Sequence, residues 1–254
     1  MTAPLLQGRR ALVTGAARGL GAAIGRTFCD AGARVAVLDQ PSALTAPAAW
    51  QGDLAIACDI ADPVAVGQSI TQVVASLGGL DIVVANAGVV PPWRPTEELD
   101  FAEWDAVMAV NVRGVAATLA HAVPHLKARG GTIILMASIN AMVSHPRQML
   151  YTTSKHAVLG IMRAAALDLG RYAIRVNALA PGPIATDALV ARLEQRASEG
   201  GPTPQEALST FATQTPLGRM ASEDDVARAA LFLASDLASG LTGRVIPVDA
   251  GLLP

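Results

Sequence analysis

Tyr151 and Lys155 stand four residues apart in the segment YTTSK, one of two tyrosines and one of two lysines in a chain with nineteen basic residues. Residues four apart on a helix share a face, so the pair is either chemical or an accident of composition. Free tyrosine ionises near pH ~10, too high for an effective base at neutral pH. A cation one helical turn away stabilises the phenolate. Far upstream, TGAARGLG (14–21) brings Gly15, Gly19 and Gly21 together where a strand-like run gives way to a helical one. Glycines permit a tight turn and a close backbone approach to a pyrophosphate, and the helix N-terminus adds free N–H groups and a positive dipole end. The spacing is GxxxGxG, not GxGxxG, and such a turn alone is a weak signal.

Asp39 strengthens it. A carboxylate at the end of the second strand accepts hydrogen bonds from an adenosine ribose and repels a 2′-phosphate, which favours NAD over NADP. Arg18 pulls the other way, as a cation in the glycine turn able to meet a 2′-phosphate. Gln40 adds no second positive charge beside Asp39, and Asp39 carries the greater weight.

The elements that must position these residues alternate from end to end. Strand-like runs at 9–15, 33–39, 54–59, 80–88, 131–138, 174–182 and 244–249 are separated by helical patterns, among them 62–77, 101–128, 149–171 and 223–234. Continuous apolar strands between helices are the mark of a parallel sheet covered on both faces. The unbroken alternation predicts one domain over 1–254. Two connections depart from the rhythm. QPSALTAPAAWQG (40–52) has two prolines and room for only a short or ragged helix. The stretch 181–218, rich in Pro, Gly, Ser and Thr around a helical middle, is read as a substrate loop.

Composition excludes several classes. With 52% hydrophobic and 16% charged residues, net charge −2 and pI near 6.1, the chain is not disordered and carries no basic field for nucleic acid or anionic lipid. Cys29 and Cys58 are too few for a disulfide framework, so a reducing, cytoplasmic setting is expected. The segment MTAPLLQGRR lacks the pattern of a signal peptide, and no uncharged apolar run reaches the ~18 residues of a membrane span.

Taken in order, TGAARGLG, Asp39, Asp59 after the third strand, NAG (86–88), Asn111, Ser138, YTTSK and PG (181–182) resemble the short-chain dehydrogenase/reductase family over essentially the whole chain. The resemblance implies a single-domain α/β Rossmann fold with a seven-stranded parallel sheet, a homotetramer, and a catalytic tetrad of Asn111, Ser138, Tyr151 and Lys155. In that tetrad Tyr151 is the acid and base, its phenolate stabilised by Lys155 and by the oxidised nicotinamide. Lowering its pKa by about three units takes roughly 4 kcal/mol, within reach of two nearby cations at reduced dielectric. Lys155 would also bond the nicotinamide ribose, Ser138 would orient the substrate oxygen, and Asn111 would hold a water linking Lys155 to solvent.

The cofactor set follows the same resemblance. Gly15, Arg18, Gly19, Leu20 and Gly21 form the turn, with Asp39 at the ribose and Asp59 with Ile60 near the adenine. Asn86, Ala87 and Gly88 floor the groove, where Asn86 has the alternative role of tying neighbouring strands. Pro181, Gly182, Ile184 and Thr186 border the nicotinamide, alongside Tyr151 and Lys155. VDAG departs from the family's two glycines, because Ala250 replaces one.

Competing chemistries lack support. Ser138 lies in MASIN, not GxSxG; His121 and His125 are four apart but without the HExxH glutamate and with Pro124 between them, so no metal is expected. GxxxxGK is missing. Segments 89–95, 139–149 and the loop after Pro181 are largely apolar, which points to a medium-sized secondary alcohol or ketone. Asn140, His145 and Gln148 join Ser138 and Tyr151 as candidate contacts, and His145 and Arg147 stand at the candidate mouth. Sugar or polyol dehydrogenases and 3-oxoacyl reductases remain alternatives, Asp39 disfavouring the NADPH of the last. A non-catalytic NAD-binding regulator is the alternative of a different class.

Overall fold

The computed structural model describes residues 4–45 and 52–253. Seven strands form one parallel sheet in the order β3-β2-β1-β4-β5-β6-β7: β1 (Arg10–Thr14), β2 (Arg34–Asp39), β3 (Leu54–Ala57), β4 (Ile82–Ala85), β5 (Gly131–Met136), β6 (Ile174–Pro181) and β7 (Val245–Val248). Leu12 pairs with Ala36 on one side and Val83 on the other, so β1 is central and the strand order reverses between β1 and β4. In open α/β sheets that reversal opens a crevice beyond the strand C-termini.

The strands read as continuous apolar runs because both faces are covered. Leu12, Ala36 and Leu38 point into one core, and the alternate residues Ala11, Val13, Val35 and Val37 point into the other, the period of two that a pleated strand imposes. The first core takes Val66, Ile70 and Val73 of α3 (Pro63–Leu77), Leu119 and Leu126 of α5 (Val115–Leu126), and Val158 and Met162 of α6 (Met149–Leu169). The second takes Ile24 and Phe28 of α1 (Gly19–Asp30) with Val226 and Leu233 of α9 (Glu223–Ala234).

Local chemistry sets the boundaries. Asp62 caps α3 by accepting from the amides of Val64 and Ala65, and Gly78 ends it in the left-handed region at φ 76°, the usual start and stop of such a helix. The connection 40–52 forms the short α2 (Pro41–Leu44), with 46–51 outside the described residues. The helix read over 101–128 is broken: α4 (Phe101–Met108) passes through a π-helical segment at Ala109–Gly114 into α5. By length and composition Phe101–Leu126 could cross a bilayer, but Leu119, Ala122 and Leu126 are core side chains here. The helix read over 149–171 ends as α helix at Leu169 and tightens into a 3-10 turn, Gly170–Tyr172.

The stretch 181–218 holds two helices where the sequence suggested one helical middle: α7 (Asp187–Ser198) and α8 (Pro204–Thr213). Gly200, Gly201 and Pro202 separate them, and Thr203 with Glu206 restarts the chain through a capping box. Leu189 and Leu193 of α7 bury against Ala207 of α8 in a small core of their own.

Candidate active site

The crevice begins at the end of β1. Thr14 is buried, and its hydroxyl accepts from the amides of Asn86 (3.1 Å) and Ala87 (3.0 Å). The Asn86 side-chain amide donates back to the carbonyls of Thr14 (2.9 Å) and Gly15 (2.8 Å). Its side chain therefore ties the β4 end to the glycine turn. Gly15 sits at φ 64°, and a Cβ there would fall 2.7 Å from Ala87 Cα; a Cβ on Gly21 would collide with the Gly15 carbonyl oxygen. Only glycine fits either place.

Helix α1 starts at Gly19 with no side-chain cap and no acidic residue in its first turn. Its first N–H groups are thus left for an anion. Arg18 is exposed at the N-cap position, and Leu20 is half-buried against the second core. Asp39 accepts from the amide of Ala17 at 2.8 Å and from that of Gln40 at 2.8 Å, so the β2 carboxylate is held beside the turn. Asp59, exposed, accepts from Ala61 N (2.9 Å), and Ile60 is buried against Gly114. A glycine cradle, an uncapped helix start and a carboxylate fixed next to both fit a dinucleotide.

Across the crevice, Ser138 lies just past β5 with an extended backbone, its hydroxyl accepting from Asn140 N at 3.2 Å. Tyr151 is in the first turn of α6, half-buried, and Lys155 is one turn on, only 5% exposed. The Lys155 ammonium donates to Met136 O at 2.9 Å and lies 5.7 Å from the Tyr151 ring centroid. Asn111 belongs to the π-helical segment and is fully buried. It accepts from Val89 N (2.8 Å) and donates to Val89 O (2.8 Å) and Ser154 Oγ (3.1 Å), while Ser154 donates to Tyr151 O (2.8 Å). Single π turns inside α helices often mark functional sites; here the turn joins the NAG segment to α6. A Cβ on Gly88 would stand 3.3 Å from Asn111 Oδ1 and 3.5 Å from Lys155 Nζ, so the three meet.

Burial dominates the electrostatics of Tyr151 and Lys155. Burial holds the Lys155 ammonium down to about 8. Burial also pushes the Tyr151 phenol above its ordinary value, with the Ser138 hydroxyl and the Arg192 charge acting in the opposite sense. The sequence expectation assigns the lowering of Tyr151 to two cations together, Lys155 and the oxidised nicotinamide. In the fold the Lys155 ammonium donates to Met136 O, and desolvation of the phenol outweighs the Ser138 hydrogen bond and the Arg192 charge. Arg192, on α7 inside the segment ATDALVARL, adds a positive charge that acts on Tyr151, and composition alone did not single it out.

Of the candidate substrate contacts, Asn140 is buried and donates to Gln148 Oε1 (2.7 Å) and Thr152 Oγ1 (3.4 Å). These polar groups brace the loop that carries Ser138. His145 is exposed on that loop. Arg147 has φ 63°, and its carbonyl accepts from Arg94 N at 3.0 Å, which joins the loop to the segment after NAG. Pro181 ends β6, Gly182 N donates to Val248 O (3.0 Å), and Ile184 is buried against Ala221. Thr186 caps α7 through Leu189 N (3.3 Å). His121 rests against Gly67 of α3, and no group of three metal-ligating side chains occurs among the described residues.

Fold and site together define an oxidoreductase of the nicotinamide-binding kind. The family model described as enoyl-(acyl carrier protein) reductase matches residues 15–253. The chain is 37% identical over 249 residues to cis-4-hydroxycyclohexanecarboxylate dehydrogenase of Sinomonas cyclohexanicum, covering 96% of each chain. It is 37% identical over 255 residues to D-threitol dehydrogenase of Mycolicibacterium smegmatis, covering 97% of this chain and 93% of that one. Among solved structures, carveol dehydrogenase from Mycobacterium avium in complex with NAD superposes with a TM-score of 0.91 at 30% identity, covering 98% of this chain and 99% of that one. The protein belongs to the short-chain dehydrogenase/reductase family.

Proposed function

We propose that the protein is an NAD-dependent enzyme that interconverts a secondary alcohol and a ketone by hydride transfer, with Tyr151 exchanging the proton. The observation that carries this reading is the meeting of Tyr151, Lys155 and Ser138 at the C-terminal edge of the sheet, across the switch-point crevice from the glycine turn and Asp39. When bound, NAD supplies the hydride acceptor. Gly15, Gly19 and Gly21 would take its pyrophosphate, Asp39 its adenosine ribose, and Lys155 its second ribose.

The remaining work falls to this chain's own side chains. Burial keeps the Tyr151 phenol protonated at neutral pH, the form that donates to a ketone oxygen. The phenolate that accepts an alcohol proton grows with pH, tenfold per unit below its pKa. Ser138 Oγ, held by the Asn140 amide, orients the reacting oxygen, and Asn111 fixes the backbone between NAG and α6. Support for NAD over NADP comes from the Asp39 carboxylate at the end of β2, held beside the turn. Cytoplasmic residence and assembly as a homotetramer go with this reading by family likeness.

A panel of secondary alcohols, polyols and hydroxy acids with NAD, read by NADH absorbance, tests the proposal. Turnover of non-polyol secondary alcohols is expected. Turnover confined to small polyols would instead favour the polyol reading, which the D-threitol dehydrogenase relative makes specific. No turnover with any of them would favour a non-catalytic NAD-binding role.

A further inference from the structure

Helix α7 carries two arginines besides its buried leucines. Leu189 and Leu193 bury toward α8, which fixes the rotation of the helix. Arg192 and Arg196, one turn apart, share another face. The Arg196 guanidinium stacks over the Trp93 ring at 4.2 Å from its centroid, holding that face against the segment after NAG. Trp93 in turn lines a recess with Pro92, Arg147, Met149 and Tyr151.

Arg192, one turn before Arg196 on that face, is half-buried, and its Nε is buried with no hydrogen-bond partner among the described residues. A buried guanidinium donor left unmatched is unfavourable, and it is relieved when an acceptor arrives. No side chain of the recess supplies one. Glu103, the one carboxylate lining it, is ion-paired with Arg94 at 3.0 Å, while Arg147 adds a further positive charge at its rim. The acid of the recess is thus already engaged by Arg94, and Arg192, on the neighbouring face of α7, lies near enough for its charge to act on Tyr151 at the edge of the recess.

We propose that the substrate is a hydroxy or keto acid, a secondary alcohol or ketone bearing a carboxylate that Arg192 receives while Tyr151 and Ser138 hold the reacting oxygen. This rests on the dehydrogenase reading above and narrows it. A planar guanidinium matches a carboxylate in two parallel hydrogen bonds, so one Arg192 side chain both orients the substrate and selects it from neutral analogues.

The test uses the full chain with NAD bound and two probes of one shape, cyclohexanecarboxylate and neutral cyclohexanecarboxamide, titrated calorimetrically at pH 7. Wild type is expected to bind the acid at least about tenfold more tightly than the amide, the scale of a charge-assisted pair. Arg192→Gln is expected to bring the ratio close to one, and Arg192→Lys to keep part of it. Alcohols turned over in the panel are assayed in parallel as free acid and as amide, comparing the ratio of their kcat/KM values. Equal affinity of wild type for the two probes, or binding of neither, overturns the proposal. So does an Arg192→Gln defect that is equal for acid and amide and moves the pH profile of kcat, because the charge would then serve Tyr151 instead of the substrate. Failure here with neutral secondary alcohols still oxidised leaves the dehydrogenase reading intact; absence of NAD-linked turnover throughout removes both.

Discussion

Lys155 is a buried cation whose cost can be measured. An unfolded lysine keeps its proton up to about pH 10.5, whereas in the fold burial brings the ammonium down to about 8. Between those values the unfolded chain binds more protons than the native one, so the unfolding free energy rises with pH across that window. Below pH 8 the native state carries the full penalty of the buried charge. From pH 7 to pH 10 the relief amounts to about 2.5 kcal/mol. Lys155→Met removes this dependence while keeping most of the side-chain volume. Urea unfolding of both proteins at a series of pH values reads the effect. Relative to wild type, the variant is expected to be most favoured at pH 7 and to lose about 2.5 kcal/mol of that relative stability by pH 10. The absolute offset includes the lost bond to Met136 O, but that bond is common to both ends of the range. A difference between the two proteins that is constant with pH would refute the reasoning, since Lys155 would then titrate alike folded and unfolded.

Two further outcomes are expected. Asp39→Asn keeps an acceptor for Ala17 N but removes the charge facing a 2′-phosphate, so the ratio of kcat/KM for NAD over NADP falls by at least about tenfold, the equivalent of ~1.4 kcal/mol; an unchanged ratio would show that Arg18, not Asp39, sets the preference. Ala250 holds φ 57° in the tail turn, a left-handed conformation that costs an L-residue about 1–2 kcal/mol. Ala250→Gly is therefore expected to raise Tm by about 2–4 °C per kcal/mol gained, read by differential scanning calorimetry.

Much of this was legible in residue order. Period-free apolar runs such as LDIVVANAG signal strands buried on both faces, and β4 is one. Asp62 and Gly78 bracket α3 as their types demand. What the sequence could not convey depends on burial and on distant partners. The break at Ala109–Gly114 follows from Asn111 reaching Val89 and Ser154, 22 and 43 residues away. Asn86 carries the same letter whether it faces a ligand or ties Thr14 to Gly15; its two bonds to those carbonyls are tertiary facts. The direction of the Tyr151 shift likewise depends on desolvation, which no spacing rule reports. Arg192 was hidden for a simpler reason. One arginine among seventeen on an amphipathic helix gives no sign until the packing of Leu189 and Leu193 decides which way it faces.

The central claim is that Tyr151 moves the proton, and one variant tests it. Tyr151→Phe leaves the ring and its packing in place and deletes the phenolic oxygen. NADH binding, followed by fluorescence titration, is expected to stay within about threefold of wild type, while kcat on a turned-over secondary alcohol falls by about 10²–10⁴, the range for loss of a general acid or base. Equal turnover in the two proteins would contradict the account, whatever substrate is used.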